Sequence, residues 1–288
     1  MTDNNRCDKC KATFEWHEDR CPVCGHDIGF PLARELGRQK ERDALQRRYQ
    51  EALDSARNRA VEDRVAAFEQ AVQSKSRAVI GVWPSFLASF LNDARMLFTS
   101  YSLQVAAGSR KPASREDDKR RRGTEGTLFG ALAPKICYAA LSLDDAGLVS
   151  YGDDCFFTLV EAAARARGTL LEENSYTFVQ KHKILPGDEI PAGYRAVWRD
   201  RHKLAVAKLA GQIDESTTDS AFAQLLLHSD GDRATDKFME VHIYSGFDNQ
   251  SVDGVRIPMP ENAPSDDREN LKRIRDWARK NNRGYSER

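Results

Sequence analysis

PKICYAALSLDDAGLVSYGDDCFFTLVEAAARARGTLLEENSYTF, residues Pro134–Phe178, decides how the rest of the chain reads. Two runs in it, Ile136–Leu143 and Cys155–Val160, read as strands. The turn between them carries Asp144, Asp145 and Gly147, and Ser150, Tyr151 and Gly152 lead into the second run. A dense polar cluster, Arg167 to Tyr176, follows. Small and apolar residues pack a core, but Arg167, Glu172, Glu173, Asn174 and Ser175 in so short a span must either face water or line a site.

Downstream, Phe238-Met-Glu240-Val-His242-Ile-Tyr244 alternates apolar and polar residues, which predicts a half-buried strand. Side chains repeat every two residues along a strand, so Glu240 and His242 share a face. An acid there, opposite an apolar face, is a catalytic candidate. Upstream, Ala78–Trp83 (AVIGVW) reads as a short buried strand ended by Pro84. A helix opens near Ser85 with Phe86, Leu87, Phe90, Leu91, Ala94 and Leu97 on its apolar face, and Phe98–Val105 is either its last turns or a strand. Gly108–Gly126 holds Arg110, Lys111, Arg115, Lys119, Arg120, Arg121 and Arg122. It reads as a solvated loop or as an electrostatic handle for phosphates, partly neutralised by Glu116, Asp117 and Asp118. Pro186-Gly187 and Pro191-Ala-Gly193 mark a loop. Ala196–Gln212 reads as a helix, Asp219–His228 continues in helical style, and Pro258 and Pro260 mark a loop exit. Ser265 is expected to cap a last helix with Leu271, Ile274 and Trp277 on one face.

At the other end stand Cys7-Asp-Lys-Cys10 and Cys21-Pro-Val-Cys24-Gly25. Each C-x-x-C hook points two thiolates at one ion, and two hooks complete a closed tetrahedral Zn²⁺ shell. About 30 residues cannot build a core, so the metal would supply most of the folding energy of such a zinc ribbon. From Pro31 to about Ser76 the only Gly is Gly37 and no further Pro occurs. Leu45, Tyr49, Leu53, Ala56, Ala60, Val65, Phe68 and Val72 recur at helical spacing, which predicts one long amphipathic helix spanning roughly 65–70 Å at ~1.5 Å per residue.

Lys+Arg and Asp+Glu balance at 44 each, so net charge alone nominates no nucleic-acid or membrane partner. No apolar run approaches the ~20 residues needed to cross a bilayer, and the N-terminus lacks the basic-then-apolar secretory pattern. Six cysteines, four of them in hooks, favour metal binding over disulfides, and a reducing cytoplasm is the expected location.

Five pieces occur in order: Tyr101-x-x-Gln104 with Gly108, Pro134-Lys135-x-x-Tyr138-Ala-Ala-Leu141, Tyr151-Gly152-Asp153-x-Cys155, Arg167-Gly-Thr169, and Glu240-Val-His242 with Gly246. Together they resemble an uncharacterised bacterial branch of ADP-ribosyltransferase-like toxin domains, over roughly residues 78–250. The first strand here is AVIGVW, without the histidine of that pattern, and His242 replaces the Gln of its late motif. The resemblance implies an α+β fold with a split β-sheet body over 78–262, preceded by the zinc ribbon (1–30) and helical linker (31–77) and followed by a C-terminal helix (263–288). It implies NAD as substrate, with Glu240 stabilising an oxocarbenium-like ribose and Tyr151 and Tyr101 as aromatic surface for nicotinamide. Arg167 would hold a phosphate, Glu173 and Asn174 would orient the acceptor or a ribose hydroxyl, and Gln104, Tyr138 and His242 would complete the NAD site. A nucleic acid or a protein is the implied acceptor, and an antitoxin or inhibitor protein an implied partner. Two other readings stand beside it: a non-enzymatic zinc-ribbon adaptor, and a metal-dependent nuclease using Asp153, Asp154, Glu172 and Glu173.

Overall fold

The computed structural model describes residues 5–151, 154–233, 235–259, 261 and 263–288. Eight strands form one continuous sheet: β1 (Arg77–Val82), β2 (Ile136–Ser142), β3 (Cys155–Leu159), β4 (Gly168–Leu171), β5 (Arg195–Val197), β6 (Glu240–Tyr244), β7 (Val252–Ile257) and β8 (Gly284–Glu287). Their order is β5-β4-β6-β2-β1-β3-β7-β8, antiparallel throughout except for the parallel pair β7–β8. With its helices this is an α+β architecture. The sheet is continuous, in place of the split sheet that the resemblance implied.

The helices are α1 (Pro31–Leu36), α2 (Gln39–Asn58), α3 (Glu62–Lys75), α4 (Pro84–Asn92), α5 (Tyr101–Ala106), α6 (Arg115–Phe129), α7 (Glu161–Arg167), α8 (Ser175–His182), α9 (Arg201–Leu209), α10 (Phe222–Leu226) and α11 (Ser265–Lys280). The long helix expected over 31–76 is therefore three. The first break falls at Gly37. The second falls at Arg59–Val61, where Ala60 takes a positive φ of 56°. This segment packs against the body. Leu45, Ala56, Val65, Phe68 and Val72 enter the main core, and Arg59 donates to the Ala210 and Ile213 carbonyls, each at 2.7 Å. Gly193 lets the facing loop close on α2: a Cβ there would sit 2.8 Å from the Ala44 carbonyl carbon.

Two apolar layers cover the sheet. Ala78, Ile80, Cys137, Leu141, Phe157, Leu170, Val241 and Ile243 face the core built with α2, α3, α4, α9 and α11. Ile136, Leu171 and Tyr244 face the second layer, with Phe30, Leu32, Leu128, Phe129, Phe178 and Val179 from around α1, α6 and α8. Strand β6 is thus buried on both faces, not half-buried, and Glu240 and His242 point into the second layer.

Other local expectations shift. Gly108–Gly126 is no loop over its second half: Ser114 Oγ accepts the Asp117 amide and opens α6, with Glu116, Asp117 and Asp118 in the first turn where the helix dipole favours acids. Helix α4 stops at Asn92, short of Ala94 and Leu97, and Phe98 bridges to Phe247 before Ser100 caps α5. The start of the expected helix at Ala196 is strand β5. Ser265 is the first residue of α11, after Pro264, rather than its cap. Gly152, Asp153 and Pro260 lie outside the described residues. No helix among the described residues is long and apolar enough to cross a membrane.

Candidate active site and metal centre

Glu240 opens β6, and antiparallel register fixes its neighbours: Ala140 on β2 and Leu171 on β4 pair with Glu240, Tyr138 and Thr169 with His242. Leu171 ends β4, so the chain that leaves it, Glu172-Glu173-Asn174-Ser175, turns directly over the Glu240 carboxyl. Asn174 caps α8 by accepting the Tyr176 and Thr177 amides, which sets the first turn of that helix. From there Ser175 Oγ donates to Glu240 Oε1, while the Ser175 amide and Asn174 Nδ2 each approach Oε2 at 3.4 Å. His242 Nε2 lies 2.7 Å from Oε1. Only 5% of Glu240 is exposed, so these groups replace its hydration.

Around this carboxylate stand the tyrosines. Tyr138 packs edge-on against His242, with ring centroids 5.6 Å apart. Burial raises its pKa well above the ordinary value, and the Glu125 and Glu240 charges push the same way. Its buried hydroxyl sits beside the Glu125 carboxyl without a formed hydrogen bond. Glu125, on the inner face of α6, has its own pKa raised by burial, against the pull of Arg121. Tyr151 is raised by burial and next by the Glu240 charge, which places it in the same field. The Arg233 guanidinium lies 4.5 Å from its ring centre. Tyr101 Oη donates to Asp118 at 2.7 Å and accepts the Ala113 amide at 2.6 Å, and Arg121 lies 4.1 Å over its ring. Helix α6 is the common wall.

Glu240, His242, Asn174, Tyr138 and Tyr151 therefore gather at one end of β6 and β2, with Tyr101 tied in through α6. Three other expected residues do not join them. Arg167 donates to the Gly246 carbonyl at 2.6 Å, beyond the far end of β6, more than ~13 Å along the strand from Glu240 at ~3.3 Å per residue. Buried Gln104 donates to its own helix entry, at Thr99 O (2.6 Å), in the α5 segment that Ser100 ties to Pro134, again at that far end. Glu173 pairs with Lys181 at 2.8 Å instead of turning to the carboxylate. Ser175 falls in the polar cluster that must face water or line a site, and Arg121 in the basic stretch that reads as a loop or a phosphate handle, but neither has a role of its own by sequence. Glu125 is not singled out by sequence at all.

Of the nuclease reading's carboxylates, Glu172 and Glu173 come together with His182, their ligand atoms within 4.8 Å of one another, but Asp154 does not join them, and Asp153 lies outside the described residues. Glu172 pairs with Arg48 (2.7 Å) below β4, whereas Asp154 precedes β3 at the opposite end of the sheet, four strands away, near Arg288. A groove of about 310 Å³ lies apart from Glu240, between α2 and β5, and Arg195 on its wall is already paired with Glu41.

The N-terminal hooks are near copies of each other. Lys11 N–H bonds to Cys7 O and Gly25 N–H to Cys21 O, with Lys11 and Gly25 both at positive φ, 62° and 68°. The bridges Arg6–Thr13 and Arg20–Asp27 close the two hairpins. All four sulfurs lie within 4.8 Å of one another, with Cys7–Cys24 at 3.7 Å and Cys10–Cys21 at 3.5 Å. A tetrahedral Zn²⁺ with bonds of ~2.3 Å needs sulfurs ~3.8 Å apart, so the donor set fits that ion. Amides of Cys24 and Val23 lower the Cys21 thiol to about 7. Cys10 goes up to about 12 despite the Ala12 amide, because desolvation and then the three neighbouring sulfurs oppose another negative charge. A divalent cation relieves that opposition. Arg34 of α1 fixes the ribbon to the body through Trp16 O (2.6 Å) and Glu18 O (2.8 Å), with its guanidinium 4.9 Å from the Phe14 ring centre.

No family model matches the chain, and no curated protein matches it.

Proposed function

We propose that the chain is a toxin-type ADP-ribosyltransferase that consumes NAD, with Glu240 as the charge-stabilising carboxylate. The observation that carries this reading is the Glu240 carboxyl itself: an acid on a rigid strand, oriented by Ser175, Asn174 and His242, in the field of Tyr151 and Tyr138. In the reaction the ribose–nicotinamide C–N bond breaks and its electron pair leaves with nicotinamide, which becomes neutral. The ribose carbon turns oxocarbenium-like. A fixed carboxylate in a water-poor site stabilises that charge without reorganising. An acceptor oxygen or nitrogen then bonds to the ribose carbon and gives up its proton. The acceptor is a nucleic acid or a protein, and the zinc ribbon would help to present it.

A second reading, a zinc-ribbon adaptor with no catalysis, is favoured by one observation. The Glu240 carboxyl is already held by Ser175, Asn174 and His242, as in a buried structural network. Labelled NAD incubated with the zinc-loaded protein and RNA, DNA or lysate protein separates the two. Transfer that Glu240→Gln abolishes supports the enzyme. Equal inertness of both proteins, with partner binding retained, leaves the adaptor.

A further inference from the structure

Arg121, in the wall of the site, has the nearby Glu125 charge to balance it but, among the described residues, no hydrogen bond to a carboxylate. Arg121 projects from α6 toward Tyr101, Tyr138, Tyr151 and Glu125, and its charge is felt at all four. Its Nε is buried without a partner. Among the described residues Arg121 makes no ion pair and no hydrogen bond, only the stack on Tyr101. Its neighbour Arg120 turns outward and pairs with Glu116. A planar cation held on an aromatic ring keeps its donor edge free and pre-aimed, which is the arrangement that suits bidentate capture of a phosphate. Across the same space Arg233 stacks on Tyr151, its Nε donating to Ser150 O at 3.3 Å and its Nη1 lying 3.9 Å from Asp117.

We infer that Arg121, assisted by Arg233, is the anion-binding residue of the site and takes the diphosphate of a nucleoside-diphosphate ribose. The role assigned by sequence to Arg167 passes to Arg121, since Arg167 is spent on Gly246 O beyond the far end of β6. The identity of the ligand rests on the NAD reading; the anion site does not. With the diphosphate on Arg121, the ribose end of the ligand lies between Tyr151 and Tyr138, toward Glu240.

The test is equilibrium binding of ADP-ribose to the full-length, zinc-loaded protein by calorimetry, with no turnover needed. Arg121→Ala should weaken binding at least tenfold, Arg121→Lys less, and Arg120→Ala not at all. Thermal melts confirm that each variant is folded, and Arg121→Gln, which keeps the stem, replaces the alanine variant if that one is not. Failure of wild type to bind ADP-ribose, or equal binding by wild type and the Arg121 variants, overturns the inference. Binding through Arg121 in a protein that never consumes NAD would sink the transferase and leave the anion site standing. NAD turnover with a KM unmoved in Arg121→Lys would do the reverse.

Discussion

His242 Nε2 lies 2.7 Å from Glu240 Oε1, both side chains on one face of β6 and both almost wholly buried. Removing Glu240 leaves His242 Nε2 only Ser175 Oγ at 3.4 Å, and removing His242 takes the 2.7 Å contact from a carboxyl that Ser175 and Asn174 still hold. Glu240→Ala and His242→Ala should each lower stability by about 2–4 kcal/mol. The double variant should lose less than the sum, by about 1–3 kcal/mol. Urea denaturation of the four proteins gives the coupling, and simple additivity would mean that the two residues act separately.

Lys208 ties the same region together from below. Its Nζ donates to the carbonyls of Glu172 and Phe238, bracketing the end of β4 and the approach to β6. Burial lowers its pKa to about 8 from 10.5, against the pull of Glu172 and Glu173. In the unfolded chain the amine keeps its proton up to about 10.5, so between pH 8 and 10.5 the unfolded state binds more protons. Stability from this group therefore rises with pH across that window, and below pH 8 the cost of burying the charge is fully present. The gain is about 3 kcal/mol, taking ~1.4 kcal/mol per pH unit. Denaturant melts at pH 7.5, 8.5 and 9.5 should show this rise in wild type relative to Lys208→Met. Parallel curves for the two proteins would refute it.

These residues also mark how far the sequence could be read. Strands β1, β2, β3 and β6 are apolar enough to stand out, and Glu240 and His242 fall on one face by simple alternation. Strand β4 is four residues, Gly-Thr-Leu-Leu, inside a polar cluster, and what makes it a strand is its pairing with β5 and β6. No Gly or Pro announces the break at Ala60; docking on α9 imposes it. Helix α6 hid behind its charges and its two glycines, although Ser114 followed by three acids was a legible cap. The site suffered from a deeper limit. The order of motifs along a chain does not tell which end of a strand each one reaches, so Arg167 and Gln104 were grouped with a carboxylate that lies at the other end. Arg121, one of four consecutive basic residues, differs from Arg120 and Arg122 only in the direction it faces, which requires the helix.

Tyr138 separates stability from function. Its hydroxyl is buried beside the Glu125 carboxyl but outside hydrogen-bond geometry, a state that costs about 1–3 kcal/mol. Tyr138→Phe removes the hydroxyl and keeps the ring contacts with Phe129 and His242. Stability should rise, by about 1 kcal/mol. If the hydroxyl is reserved for a ligand, NAD consumption should fall in the same variant. A loss of stability would mean that the hydroxyl is satisfied internally, which would remove Tyr138 from the site.

The zinc ribbon should behave as a separate folding problem. Its own apolar cluster is Cys7, Phe14 and Cys21, with Ala12 and Ile28 against it, and two of the three central members belong to the four-cysteine cluster that would hold the ion. So little buried surface cannot offset the entropy of ordering the segment, and the metal supplies the difference. The sheet has two extensive apolar layers of its own and does not need the ion. Elemental analysis should find one zinc per chain. Chelation, or Cys21→Ser, should remove it and expose the ribbon to protease while the main melting transition shifts little. Arg34→Ala should retain the zinc but loosen the ribbon from α1, raising protease cleavage between the two without metal loss. Protein purified without chelator that carries no zinc would refute the metal assignment, and loss of the main transition on chelation would show that the sheet depends on the ribbon after all.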